Sequence, residues 1–267
     1  MSELTDLVAT WWEAVDSFTH LLEKVPAEQW HAATDLPGWD VHDVAAHTAH
    51  LEHLLAGGRH EDIEIGDAPH ASGTMGKFTE QGVVVRRGRT ADDLIREIRE
   101  STTKRHTELL ADPPTDPDAP APGIFGAIGW STRTLLRNRP LDVWMHEQDI
   151  RRAVGMPGGT DTAAARHTAS YLLESMGYVL ARGVKAPAGT SVTFAVEDHD
   201  PVTAVVGEDG RGAVVAEMPD ATTRIETDRE SFLLLAGGRR RPADEHLALS
   251  GDTELANRVI GAMAVTP

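Results

Sequence analysis

Residues 38–55, GWDVHDVAAHTAHLEHLL, hold His42, His47, His50 and His53, four of the thirteen histidines in the chain. A second stretch, RPLDVWMHEQDIRRAVG at 139–155, sets Asp142 and His146 four residues apart, with Asp149 following. Imidazole nitrogens and carboxylate oxygens are the donors a divalent cation takes as ligands. Spacing of i, i+4 puts two such donors on one helix face, the reason a helical H-E-x-x-H motif can hold a single metal.

At 3.6 residues per turn, Val44, Ala45, His47, Thr48, Leu51, Leu54 and Leu55 gather on one face of the first segment, so His47 turns toward a core. His42 and His53 project to the opposite side and read as solvated surface, while His50 sits at the edge. In the second segment Asp142, His146, Asp149 and Ala153 share a face flanked by Met145 and Ile150. Burying such groups uncompensated is costly, and a cation would compensate them. Two donors from one helix and His47 from the other make an N,N,O set. Three protein donors leave a coordination position open, as in catalytic centres, where structural sites are closed. The same residues also read as a buried Asp142–His146 ion pair beside a hydrogen-bonded core histidine. The donor set suits Zn(II), Fe(II), Ni(II) or Mn(II).

Helices must position these groups. Residues 4–25 place Leu4, Leu7, Val8, Trp11, Val15, Phe18, Leu22 and Val25 at spacings of three and four, a long helix with one apolar stripe. Asp40 is placed to cap the helix that carries His47, with Asp43 in its first turn. The Gly- and His-rich segment 58–89 lacks periodicity and reads as a long loop. Thr90 to Asp93 opens a helix running to about Leu110. DPPTDPDAPAPG at 112–123 is an exposed connection, followed by a helix to about Ala153 that enters or kinks at Pro140. Another helix covers roughly 162–183. Beyond it TSVTFAVE, PVTAVVGEDG and TTRIET read as strands, with short helices near 230–236 and 252–263. The expected architecture is therefore two-domain, an all-α bundle over 1–185 and a small α+β domain over 186–267.

Composition narrows the function. With 267 residues, 40% hydrophobic and 25% charged, the chain is globular, and its net charge of −17 disfavours nucleic acid and anionic membranes as partners. No run is long and apolar enough to span a bilayer, and the acidic start MSELTDLVATWWEAVD does not read as a secretory signal, so a cytoplasmic setting is expected. The sequence has no cysteine, so thiol chemistry would have to borrow its sulfur from a small molecule.

LPGWDVHDVAAHTAHLEHLL and LRNRPLDVWMHEQDIRRAVG resemble the signature helices of the mycothiol-dependent maleylpyruvate isomerase family, within the DinB-like group of metal-binding four-helix bundles. ESFLLLAGGRRRP and LSGDTELANRVIGAM are similar to the family's second, sterol-carrier-like domain. The resemblance covers nearly the whole chain. It implies a DinB-like up-down four-helix bundle with an extra helix, then a small α+β domain. It also implies zinc on His47, Asp142 and His146, with aspartate standing where the isomerase has glutamate, one methylene longer. Asp149 is then the acceptor for a ring N–H of a ligating histidine, and His50 a neighbour of the centre. The implied cofactor is mycothiol, the actinobacterial counterpart of glutathione, whose pKa a metal would lower. Its thiolate would attack an electrophilic and anionic small molecule. Addition to the cis double bond of maleylpyruvate permits rotation and elimination to fumarylpyruvate, whereas displacing a leaving group would make the protein an S-transferase. Arg86, Arg87 and Arg239 are the candidate cations for thiol or substrate, with plain surface arginine as the other reading. A metal-binding or sensing module without turnover is the alternative, and it requires a fourth protein ligand, His50 first. An apolar-ligand carrier role for the second domain would rest on Phe194, Phe232 and Leu233 to Leu235.

Overall fold

The computed structural model describes residues 2–266. Its contacts divide the chain into two units, one ending at Ala165 and one beginning at Arg166. In the first unit the helices are α1 (Glu3–Leu22), α2 (Val41–Leu55), α3 (Gly73–Arg86), α4 (Ala91–Ala111), α5 (Gly123–Ala127) and α6 (Thr132–Val154). Helix α1 packs along α6 and α4, and α2 along α4, α3 and α6, so that α1, α2, α4 and α6 form a four-helix bundle. Its interior is the predicted stripe of α1, with Trp11, Phe18 and Leu22 fully buried, met by Leu94 and Ile98 of α4 and Ile150 of α6.

Side-chain caps fix where the site-bearing helices start. The Asp40 carboxylate accepts the Asp43 amide at 2.9 Å, which sets the first turn of α2. Thr90 and Asp93 form a reciprocal capping box on α4, and Ser131 accepts the Thr134 amide at the head of α6. Helix α6 thus begins well before Pro140, which lies inside it. Proline lacks an N–H for the ladder, and here that gap falls within the helix, not at its entrance.

Segment 58–89, expected to be a loop, contains α3. The helix lacks an apolar stripe because what it buries is Glu80, Gly82, Val83 and Arg86. Charged groups turned inward and a glycine leave no hydrophobic period to detect. Gly82 is required by close approach: a Cβ there would stand 2.1 Å from the His50 ring.

The second unit opens with α7 (Ala163–Leu173), which straddles the division, and α8 (Met176–Tyr178), which continues as a π-helical turn over Val179–Gly183. Five strands, β1 (Ser191–Val196), β2 (Val202–Val206), β3 (Gly212–Ala216), β4 (Thr223–Thr227) and β5 (Leu247–Gly251), form one sheet in the order β3-β2-β1-β4-β5. Neighbours run antiparallel except β1 and β4, which are parallel, with Phe194 opposite Ile225. Helices α9 (Arg229–Ala236) and α10 (Thr253–Ile260) complete the unit, and α10 packs on β4. The contact division falls at 165/166, and α8 and the π turn pack on β2 and β3 within the second unit. Strands β3 and β5 escape sequence reading because they are the edges, with partly exposed alternation and no strong apolar run.

Thr90→Ala removes the side-chain half of the α4 capping box, the Thr90 hydroxyl that accepts the Asp93 amide, and should lower stability by about 1 kcal/mol. Urea unfolding followed by circular dichroism checks this, and an unchanged midpoint would mean that α4 does not depend on the box.

Candidate metal centre

On α6, Arg139, Asp142, His146 and Asp149 fall on one face, and α2 presents His47 opposite them. One ligand atom each from His47, Asp142 and His146 lie within 4.8 Å of one another. Asp142 Oδ1 is 3.8 Å from His47 Nε2 and 3.7 Å from His146 Nε2, too far for hydrogen bonds. The imidazoles meet edge to face with centroids 4.8 Å apart. Two donors about 2.1 Å from a shared tetrahedral cation would be separated by roughly 3.4 Å, so the observed gaps are close to that spacing.

Protonation follows from the surroundings. The His146 Nδ1–H donates to Asp149 Oδ2 at 3.2 Å, which leaves the Nε2 lone pair facing Asp142. Asp149 is fully buried, and the Arg152 guanidinium holds its other oxygen at 2.6 Å while reaching Asp35 at 2.8 Å. Burial, the dominant effect on His47, pushes its pKa down and keeps the ring neutral. Burial would raise the Asp142 carboxyl, but the Arg139 guanidinium beside it, the largest opposing effect, holds it well below the usual range. Two bare imidazole nitrogens and a carboxylate oxygen therefore face one another with no donor between them. Neither nitrogen of His47, itself only 5% exposed, has a hydrogen-bond partner. Such an orphaned, neutral imidazole beside a carboxylate fits a divalent cation.

The walls come from α3 and the loop before α2. Trp39 stands 4.9 Å from the His47 ring and 6.3 Å from that of His146. Its indole N–H donates to Glu80 Oε2 at 2.8 Å, and His70 Nε2 lies 3.0 Å from the same oxygen. Gly38, just before Trp39, has φ +82°, and a Cβ there would meet the His70 ring at 2.3 Å, so the LPGW turn needs glycine.

Other expected residues lie elsewhere. His42 is buried, not solvated: its Nε2 is 2.9 Å from the Arg89 carbonyl, and the His31 ring stacks on it. His53 is half-buried beside Glu97. His50 is fully buried and lies outside the three-donor cluster, its Nε2–H reaching His60 Nδ1 at 3.1 Å. The relay continues from His60 Nε2 to Gln81 Oε1 at 3.0 Å and from the Gln81 amide to Asp62 at 2.7 Å. Arg86, expected at a substrate or on the surface, is fully buried and forks onto Glu97 at 3.0 and 2.8 Å, a clamp between α3 and α4. Arg87 is half exposed, held by Asp43 and Glu80. It lines a cleft of about 710 Å³ with Trp30, His31 and His42, a lining that excludes His47, Asp142 and His146. Arg239 belongs to the second unit and bonds the Gly237 carbonyl and Thr266 Oγ1.

Sequence reading missed Trp39 and Glu80, and with them Arg139 and Glu52. Arg139 NH1 donates to Asp142 Oδ2 at 2.8 Å, and its Nε and NH2 donate to Glu52 Oε1 at 3.1 and 2.7 Å. The i, i+3 spacing of Arg139 and Asp142 was the available signal.

Residues 11–151 match the family described as the mycothiol maleylpyruvate isomerase N-terminal domain, and residues 166–258 match its C-terminal domain. Two similar solved structures are the mycothiol-dependent maleylpyruvate isomerase and a histidine-to-alanine mutant of it. The mutant superposes with a TM-score of 0.60 at 13% identity and the other with 0.56 at 15%, each alignment covering 93% of both chains. No curated protein matches the chain in sequence.

The buried His50 supplies a pH test. Burial, with smaller contributions from Arg86 and neighbouring imidazoles, drives its pKa down to about 2, whereas the unfolded chain takes that proton near 6.5. The folded state therefore binds fewer protons, and stability is lost as pH falls below about 6.5. By pH 4.5 the loss from His50 alone should reach roughly 2–3 kcal/mol. Denaturant unfolding of wild type and His50→Gln at both pH values checks this. Equal pH slopes for the two proteins would contradict the assignment.

Proposed function

The chain belongs to the mycothiol maleylpyruvate isomerase family, and from that premise we propose that it is a mycothiol-dependent enzyme, an isomerase or an S-transferase, with a divalent cation held by His47, Asp142 and His146. The observation that carries this reading is buried His47, neither of whose nitrogens has a partner among the described residues and whose Nε2 faces Asp142 Oδ1 at 3.8 Å.

The residues divide the work. His47 and His146 offer ring nitrogens, and burial keeps the His47 ring in the neutral form a cation requires. Asp149 keeps the His146 proton on Nδ1, so that Nε2 stays bare. Asp142 contributes the single negative charge among the three, and its side chain is 20% exposed, so the donors can be reached from outside. Trp39, pinned by Glu80, gives the pocket a rigid apolar wall. A bound cation, zinc by the family resemblance, would act as a Lewis acid that makes a nearby thiol more acidic. The sequence offers no thiol of its own, so mycothiol would supply the sulfur for addition to an activated double bond or displacement at an electrophilic carbon.

A closed site without turnover needs a fourth protein donor. His50, the first candidate, is outside the cluster of donor atoms and bonds His60 through Nε2, which favours an open position and a catalytic role. Among the described residues no helix is long and apolar enough to cross a membrane. The cytoplasm of a mycothiol-making bacterium is the setting proposed.

Metal analysis of wild type, His47→Ala and His146→Ala should give one equivalent of cation per wild-type chain and less than about a tenth of that in either variant. Titration of the Co(II)-substituted wild type with mycothiol should then perturb the visible spectrum and add a thiolate charge-transfer band. Metal-free wild type after exposure to excess Zn(II), or a Co(II) spectrum indifferent to mycothiol, would refute the proposal.

A further inference from the structure

Arg139 is a charged contact of the centre through Asp142. It is fully buried, as is Glu52, and it spans from Glu52 on α2 to Asp142 on α6. Glu52 is fixed in turn: Oε1 also accepts the Trp11 indole N–H at 3.1 Å, and Oε2 accepts from buried Arg105 at 3.2 Å. The guanidinium of Arg105 lies 4.5 Å over the Trp11 ring. Two carboxylates and two guanidiniums balance in charge, and residues from α1, α2, α4 and α6 contribute. The fully buried charges Glu52 on α2 and Arg139 on α6, each costly to bury alone, are thus paired with each other.

A consequence for Asp142 follows from the atoms involved. Arg139 NH1 takes Oδ2 at 2.8 Å, while Oδ1 is the oxygen facing both Nε2 atoms. An unrestrained aspartate could rotate about its side-chain torsions or present both oxygens to one cation. With Oδ2 engaged by a rigid planar fork whose other edge is anchored on Glu52, only Oδ1 is left to donate. Glu52 stands on the same helix as His47, five residues on. Helix α2 therefore supplies one donor directly and, through Arg139, sets the orientation of another.

We infer that Arg139, backed by Glu52, is a positioning residue that makes Asp142 a one-oxygen donor and fixes the coordination number of the centre. This rests on the reading of His47, Asp142 and His146 as a cation site. Two variants test it. R139K keeps the charge, so Glu52 retains a cationic partner, but a single ammonium cannot fork Glu52 while holding Asp142 Oδ2. E52Q keeps the shape of the anchor and removes its charge. Zn(II) and Co(II) affinity would be measured by competition with a chromophoric chelator, alongside the Co(II) visible spectrum and the melting of each metal-free protein.

The expected result is a 10- to 100-fold loss of metal affinity in R139K and a smaller loss in the same direction in E52Q. The Co(II) d–d absorption should weaken in R139K, because a released Asp142 that chelates through both oxygens raises the coordination number. Should R139K fail to fold, the affinity and spectrum of E52Q decide. Variants that melt earlier yet bind Co(II) with wild-type affinity and spectrum would overturn the inference and leave Arg139 as scaffold. Wild type that binds no metal would instead overturn the functional reading from which this inference starts.

Discussion

Three hydrogen-bond acceptors pointed at one another in a buried place are unstable company. His47 Nε2, His146 Nε2 and Asp142 Oδ1 are such a trio, and burial holds His47 neutral, so no proton is available there to share among them. Everything around the centre serves to keep that arrangement from relaxing. Asp149 keeps the His146 proton on the far side of its ring, Arg139 keeps Asp142 from turning, and Trp39 closes over the His47 ring. In the proposed function, a divalent cation is the partner that would resolve all three contacts together.

The cost of the arrangement is met by pairing. Around the centre, Glu52, Glu80, Arg86, Arg105, Arg139 and Asp149 are all buried, each with a charged partner. Removing one member of such a pair typically costs about 3–5 kcal/mol, because the other is left without compensation. The bundle thus combines an ordinary apolar interior on the α1 side with a polar interior between α2, α3 and α6. That second interior is poor at driving folding and good at holding side chains in single orientations, which is what a metal centre requires.

How far the sequence revealed this depended on what buried each group. Apolar periodicity exposed α1, and side-chain caps exposed the starts of α2 and α4, since both are local signals. His47, Asp142 and His146 were legible because they interrupt otherwise apolar faces. Helix α3 was not legible, because it buries Glu80, Gly82 and Arg86 in place of a stripe. His42 looked solvated by its position on the helix, yet the Arg89 carbonyl and His31 cover it, contacts set by chain far away in sequence. Arg139 and Glu52 went unread for the same reason: only the meeting of α2 with α6 turns each into the other's partner. The edge strands β3 and β5 carry too little one-sided burial for alternation to reveal them.

X-ray absorption at the metal edge of the Zn(II)-loaded full chain tests the central claim most directly. The account predicts a first shell at about 2.0–2.1 Å built from two imidazoles and one carboxylate oxygen, with an exogenous light ligand, and a new sulfur scatterer near 2.3 Å once mycothiol is added. A shell already completed by four protein donors and unaltered by the thiol would contradict it.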